Sequence, residues 1–257
     1  MHDCLIAFGS NEGSSLDTLV QASKRVAEIK QVRLLAVSKP RITQPVGGPQ
    51  GQDAYVNAAI RIQTDLSADQ LHGKLLEIEN ELGRRRRVRW GSRKIDLDLL
   101  LFGSLEQDCE SLQIPHPRMS FRRFVLEPAK EIAGDLVHPS SGLTVEQLLD
   151  ALDQRSNLVL FATESGKLIE HERLLQSLLP PQWEMIIASD ERSLEQNSGQ
   201  AKLVCFVENS DHKDSEFNSL SRLAAGQPAP TLRLDGDLEK SKVEIKAAFE
   251  AIKDLDQ

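Results

Sequence analysis

The chain has 257 residues, 40% of them hydrophobic, and a net charge of −8. That length exceeds one average domain, and that apolar share supplies packed cores, which excludes a disordered chain. The acidic balance argues against a protein that coats nucleic acid, and no apolar run approaches the roughly 20 residues that cross a bilayer.

The opening MHDCLIAFGSNEG carries Asp3 and only a short apolar stretch, so it reads as a first strand, Cys4–Phe8, and not as a secretory signal. Cys4, Cys109 and Cys205 lie far apart with no CxxC pair, the usage of reduced thiols in a cytoplasmic protein. Leu16, Leu19, Val20 and Val26 recur at helical spacing behind Ser14 and Ser15, predicting a helix over Leu16–Ile29. Val32–Ile42 is rich in β-formers and is expected to be one long strand, ended by the Pro- and Gly-rich loop Thr43–Pro49. Tyr55–Thr64 alternates as a strand with Val56, Ala58, Ile60 and Ile62 on one face. A helix from Ser67 to about Leu82 has Ser67 and Gln70 as a capping box and Gly83 as its stop. Ile95–Phe102 is a strand, followed by helices near Phe121–Ile132 and, after the cap Thr144, at Val145–Leu152. This order predicts an α+β fold, a ferredoxin-like sandwich, over residues 1–154.

From Arg155 the pattern changes. Asn157–Thr163, Trp183–Ser189, Lys202–Glu208 and Thr231–Leu234 read as buried strands, between helical stretches at Lys167–Leu179, Ser215–Ala225 and Leu238–Leu255. Such alternation predicts a smaller α/β domain with a parallel sheet over residues 155–257, with the boundary near 154–157.

The chemistry concentrates before and within the strand Ile95–Phe102. Asp96 and Asp98, two apart on a strand, project to one face while Leu97 turns inward. Two such carboxylates on an apolar strand repel each other unless a cation lies between them, and Mg2+ suits one or two carboxylates completed by water and phosphate oxygens. For the pair alone, two solvated aspartates on an edge strand are the plain alternative. The segment Arg84–Lys94 ahead of them holds seven basic residues, and arginine grips polyphosphate oxygens bidentately. By itself, Arg84–Arg89 also reads as a solvated loop or a nucleic-acid patch. His116, held between Pro115 and Pro117 and followed by Arg122 and Arg123, is placed to donate to a phosphate oxygen, although a lone histidine is more often structural. Tyr55, Trp90 and Phe124 offer faces for a flat heterocycle and Asn57 a donor and acceptor for its amide edge; singly, Tyr55 and Phe124 read as core. Neither a phosphate-binding GxxxxGK[ST] loop nor GxGxxG occurs.

Taken together, A-F-G-S-N-E-G, T-Q-P-V-G-G before Y-V-N-A-A, E-I-E-N-E-L-G-R, R-W-G-S-R-K-I-D-L-D-L-L-L-F-G and I-P-H-P-R-M-S-F-R-R-F-V-L-E-P resemble the 6-hydroxymethyl-7,8-dihydropterin pyrophosphokinase family over about residues 4–152. The resemblance implies transfer of the β,γ-diphosphate of ATP to the pterin hydroxymethyl oxygen, with release of AMP, in folate biosynthesis. It implies two Mg2+ ions on Asp96 and Asp98. It places Glu79, Arg84, Arg86, Trp90, Arg93, His116 and Arg122 at the nucleotide, with Arg84, Arg86, Arg93, His116 and Arg122 assisting transfer. Thr43, Pro45, Val46, Tyr55, Asn57 and Phe124 fall at pterin positions, the ring lying between Tyr55 and Phe124. Which of Arg85, Arg86 and Arg87 faces the phosphates stays open, and their loop is expected to close over ATP.

Residues 155–257 lie beyond the resemblance and contain only Gly166-Lys167 of a phosphate loop. They are expected to be a non-catalytic accessory domain, with self-association through them as one role. The expected partners are therefore ATP and the pterin, with no nucleic acid and no membrane. The competing reading is a catalytically silent nucleotide- or nucleic-acid-binding module built on Arg84–Arg89.

Overall fold

Strand β1 (His2–Ser10) forms the middle of the first sheet, because its buried run Cys4–Phe8 is apolar on both faces. In this computed structural model the described residues are 1–84, 91–162, 168, 171–188, 190–207, 230–234 and 237–253. β1 pairs antiparallel with β4 (Tyr55–Thr64) on one side and β5 (Asp96–Phe102) on the other. β2 (Val32–Val37) joins β4, giving the order β2-β4-β1-β5, and β3 (Arg41–Thr43) pairs with a further stretch of β4.

The predicted single strand Val32–Ile42 is thus two. The break falls at Ser38–Pro40, where proline has no N–H for a ladder. Ser38 takes over the pairing there: its backbone N–H donates to Ala59 O at 2.9 Å, and its Oγ accepts from Ala59 N at 2.9 Å.

Helices α1 (Ser15–Glu28) and α2 (Ala68–Glu81) cover one face of the sheet. Leu19, Ala22 and Val26, with Leu71, Leu75 and Ile78, pack on Ile6, Phe8, Ala58, Ile60 and Ile62. Leu16 and Val20, expected on the apolar face of α1, are instead 53% exposed, because the sheet meets the stripe one step round the helix. The capping box Ser67–Gln70 is present, and Gly83 takes φ +88° after the helix, a conformation open to glycine.

The opposite face holds Leu5, Ala59 and Leu100 under α3 (Arg123–Ala133) and α4 (Val145–Gln154). The hairpin β6 (Gln107–Cys109) and β7 (Leu112–Ile114) leads to a 3-10 turn at Met119–Phe121 and on to α3. Arg61 projects from this same face and ties β1 to the end of α3, donating to Asp3, to Asp135 and to Ile132 O.

The remaining described strands form a parallel sheet in the order β11-β10-β8-β9, from β8 (Ser156–Ala162), β9 (Glu184–Ala188), β10 (Ala201–Val207) and β11 (Thr231–Leu234). Helix α5 (Glu172–Leu178), helix α6 (Glu191–Ser198) and the closing helix α7 (Leu238–Ile252) flank it. Helix α6 has no apolar period to announce it, its only large apolar side chain being Leu194. The predicted helix at Ser215–Ala225 lies outside the described residues. The core does not divide where the pattern changes: one apolar cluster runs from Leu126, Ala129 and Leu148 to Val159, Phe161, Ile245 and Phe249.

Candidate functional site

Sheet register assembles the site. Arg41 pairs with Asn57, Asn57 with Gly9, and Gly9 with Asp96, so one row crosses β3, β4, β1 and β5. Strands lie about 4.8 Å apart, which sets Asn57 and Asp96 roughly 10 Å from each other across a glycine floor. Asp98 stands in the neighbouring row opposite Ala7, on the same face. That face is the one covered by α3, and a cavity opens where the cover ends. Its walls bring together Thr43, Pro45, Val46, Tyr55, Asn57 and Phe124 with Arg84, Arg93, Asp96, Asp98, His116 and Arg122.

Arg86 and Trp90 lie outside the described residues, as do Arg85, Arg87 and the loop expected to close. Glu79 does not line the cavity. It is 1% exposed and sits behind Arg84, which donates to its Oε1, while that same oxygen accepts from Leu97 N at 2.7 Å. A carboxylate there fixes both the guanidinium and the start of β5, and burial raises its pKa first, against the opposing pull of Arg84.

Asp96 has two arginines. Arg93 donates to its Oδ2, and Arg84 Nη2 lies 2.8 Å from its Oδ1. Even so its pKa is raised, by burial first and then by Asp98, because desolvation and like charge outweigh the pairs. Oδ1 is buried and, although Arg84 Nη2 lies against it, receives no hydrogen bond of good geometry. The segment feeding β5 is pinned by Asn11, whose Oδ1 accepts from Arg93 N at 2.8 Å and whose Nδ2 donates to Asp53 O at 3.1 Å. Asn11 stands inside the motif AFGSNEG but carries no assigned role in the sequence, since its partners are distant in the chain.

His116 is oriented by its own backbone: its N–H donates to Leu100 O at 2.9 Å, and Nδ1 accepts from Arg118 N at 3.2 Å. The proton therefore belongs on Nε2, which faces Asp98 Oδ2 at 3.8 Å. Burial and the nearby Arg122 and Arg118 push its pKa down to about 3, so the ring is a neutral donor at physiological pH. Arg122 lies with its guanidinium carbon 5.6 Å from the Phe124 ring centroid. Burial, then Arg118, lowers its pKa to about 10, still a cation at neutral pH. Among the described residues it has no carboxylate at ion-pair distance. A half-buried cation without a counterion is what an anionic ligand completes.

On the far side Asn57 Nδ2 donates to Thr43 Oγ1 at 2.8 Å, leaving its carbonyl as an acceptor, and Tyr55 Oη donates to Gly91 O at 3.3 Å. Cavity residues the sequence reading did not assign include Phe121, Val125 and Arg118, and Glu244, Ala247, Ala248 and Ala251 of α7. The first three lie inside the quoted IPHPRMSFRRFV run. Nothing local in α7 could have announced a site more than a hundred residues upstream.

Paired carboxylates among arginines, beside a pocket with aromatic walls and amide edges, equip a protein for phosphoryl-group transfer to a flat second substrate. The comparisons with known proteins agree. The model of the 7,8-dihydro-6-hydroxymethylpterin-pyrophosphokinase family matches residues 5–134. A 2-amino-4-hydroxy-6-hydroxymethyldihydropteridine pyrophosphokinase of Haemophilus influenzae is 41% identical over 150 residues, 58% of this chain and 93% of its own. Proteins of the same description from Synechocystis and Bacillus subtilis are 37% and 40% identical, over 59% and 55% of this chain and 77% and 84% of theirs. A crystal structure of Plasmodium falciparum HPPK-DHPS aligns over 86% of this chain and 60% of its own at 11% identity, with a TM-score of 0.45, too slight a likeness to assign residues 155–257.

The chain belongs to the 7,8-dihydro-6-hydroxymethylpterin-pyrophosphokinase family. It is an ATP-dependent diphosphotransferase of folate biosynthesis, and the reading of Arg84–Arg89 as a catalytically silent nucleotide- or nucleic-acid-binding module is not supported. Among the described residues no helix is long and apolar enough to cross a membrane.

Proposed function

We propose that the cavity on the α3 face of the first sheet transfers the β,γ-diphosphate of ATP to the hydroxymethyl oxygen of 6-hydroxymethyl-7,8-dihydropterin. The observation that carries this is the row Asn57–Gly9–Asp96, which sets an amide side chain and the first of two carboxylates about 10 Å apart on one floor.

Asp96 and Asp98 would hold Mg2+, two ions in our reading. The fit rests on two features: the shared face of the carboxylates and the buried Asp96 Oδ1, which has the Arg84 ion pair but no hydrogen bond of good geometry. Mg2+ held by one or two carboxylates would take phosphate oxygens and water as its remaining ligands. When bound, the metal supplies charge neutralisation on the polyphosphate.

This chain's own residues do the rest. Arg84, Arg93 and Arg122 bind phosphate oxygens as fixed cations, and neutral His116 donates from Nε2 without adding charge. Glu79 positions Arg84. Tyr55 and Phe124 flank the pterin, Asn57 and Thr43 meet its amide edge, and Pro45 and Val46 close that end. Arg86 and Trp90 join the nucleotide side in this reading. The acceptor hydroxyl is thereby held in line with the β-phosphorus, and its proton leaves to solvent as the new P–O bond forms and AMP departs.

The order β2-β4-β1-β5, all antiparallel with α1 and α2 on one face, supports reading residues 1–154 as a ferredoxin-like domain and 155–257 as a second, α/β unit. Self-association through residues 155–257 remains part of this reading, and sedimentation of the full chain tests it.

Incubation with Mg-ATP and the pterin should yield AMP; ADP would overturn the reaction. Asp96→Ala and Asp98→Ala should each lower kcat by about a thousandfold or more while far-UV circular dichroism is unchanged. Near-wild-type turnover in either variant removes the metal assignment.

A further inference from the structure

The closing helix α7 belongs by sequence to the second unit, yet one of its faces lies in the cavity of the first. Glu244, Ala247, Ala248 and Ala251 recur at helical spacing and all line it. Both ends of that face are tied to site segments. Arg118, two residues after His116, donates to Glu244 Oε1, and that carboxylate is largely buried, with 18% of its side chain exposed. At the other end, next to Ala251, Gly47 N donates to Glu250 Oε2 at 3.2 Å, fixing the segment that carries Pro45 and Val46. A third tie secures the end of the helix: Arg123 Nε donates to Ile252 O at 3.2 Å, from the residue between Arg122 and Phe124. Glu244 and Ala251 are about 10 Å apart along the axis, enough to reach from the phosphate end of the cavity to the pterin end.

We propose that α7 is a working wall of the substrate cavity: Ala247, Ala248 and Ala251 set the room beside the pterin, while Glu244 and Glu250 position Arg118 and the Gly47 turn. The proposal rests on the pterin assignment made above and extends it to residues that share no motif with it. Alanine at three successive inward positions leaves space that a larger side chain would fill, because the helix backbone is already fixed at both ends. Glu244 and Glu250 act through the groups they hold and are positioning residues. Small apolar face and acidic anchors together turn the second unit from an appendage into part of the specificity pocket.

Full-length variants test this by steady-state kinetics in both substrates, with urea unfolding alongside. Ala247→Leu and Ala251→Leu should raise KM for the pterin about tenfold or more, with KM for ATP within about twofold of wild type. Glu250→Ala should raise KM for the pterin about three- to fivefold, and Glu250→Gln, whose amide oxygen still accepts from Gly47 N–H, should restore it. Val243→Ala on the outward face, 59% exposed, should change neither constant. Leucine variants that fold with wild-type midpoints and keep the wild-type KM overturn the proposal. Should they fail to fold, the exposed Glu250 decides, and an unchanged KM in Glu250→Ala overturns it. Asp96→Ala runs in parallel. If it keeps turnover, the site reading fails and takes this one with it; if it is inactive while the α7 variants behave as wild type, only the role of α7 fails.

Discussion

Arg123 offers the most direct way to loosen the second unit from the first without touching the cavity. Its side chain is 7% exposed and reaches three acceptors: Nη2 donates to Asp153 Oδ1 at 2.5 Å, Nε to Ile252 O at 3.2 Å, and Nη1 lies 3.8 Å from Glu127. Arg123→Met keeps the length of the chain and removes the charge. Two hydrogen bonds from a charged donor are lost, each contributing about 1.5–3 kcal/mol. Asp153 is 53% exposed and rehydrates, and the methionine recovers packing, so the loss falls below the sum. The expected destabilisation is about 2–4 kcal/mol, or a fall in Tm of roughly 10 °C for a chain of this size. Urea unfolding followed by tryptophan fluorescence in a Trp90→Phe background and by circular dichroism measures it, since the remaining Trp183 packs edge-on against Phe249 of α7, ring centroids 4.8 Å apart. The fluorescence transition should move to lower urea, and KM for the pterin should rise, because α7 and the Arg122–Phe124 segment lose their common anchor. Arg123→Lys should recover about half of the stability, keeping charge without the fork. An unfolding free energy within about 0.5 kcal/mol of wild type, with KM unchanged, would refute the idea that Arg123 couples the two sheets.

Two further outcomes follow from groups outside the site. His138 is held mostly neutral in the fold, its pKa pushed down to about 4 chiefly by burial, from an ordinary value of 6.5. The unfolded chain therefore binds more protons between those values, so stability is full above pH 6.5 and falls as pH drops towards 4, by about 3 kcal/mol at most. His138→Gln should flatten that part of the stability-versus-pH curve, and an unaltered slope would refute the assignment. Of the three thiols, Cys4 and Cys205 are buried, burial raising Cys4 to about 12, whereas Cys109 is exposed and lowered by hydrogen bonds from Ser111 and Gln107. Iodoacetamide should label Cys109 first in the native protein, read by peptide mass spectrometry; early labelling of Cys205 would contradict the packing of β10.

The sequence made much of this site legible because its chemistry is local in the chain. Asp96 and Asp98 share a face through strand alternation alone, and the prolines around His116 announce a fixed ring. Tyr55–Thr64 and the capping box at Ser67 fell where period and cap residues put them. What stayed hidden depends on tertiary partners. Ser38 replaces a ladder residue by its side chain, which composition cannot show, so Val32–Ile42 read as one strand. Glu79 reads as a ligand-facing acid until the fold encloses it between Arg84 and Leu97 N. The wall formed by α7 is invisible locally, since alanines at helical spacing are ordinary in any packed helix.

The electrostatics of the cavity explain how an acidic chain can keep cations ready for polyphosphate. Arg84 and Arg93 rest on Asp96, Arg84 also on Glu79, and Arg118 rests on Glu244. Each pair keeps a guanidinium oriented at partial burial, where an uncompensated charge would be costly. Arg122 differs: it lies beside the Phe124 ring, its charge disfavoured by burial and by Arg118 and only partly offset by Asp98 and Asp96, neither of which is at ion-pair distance. An incoming polyanion therefore exchanges partners with the paired arginines but gives Arg122 the counterion it lacks among the described residues. Exchange roughly conserves charge pairing, whereas completion of Arg122 is a net gain. Binding selectivity for a polyphosphate should on this account lie more in Arg122 than in the arginines held by carboxylates. Arg122→Met should then weaken MgATP binding, measured calorimetrically, more than Arg93→Met does. Equal losses would mean that the arginines paired at rest contribute as much as Arg122 and would refute its special role.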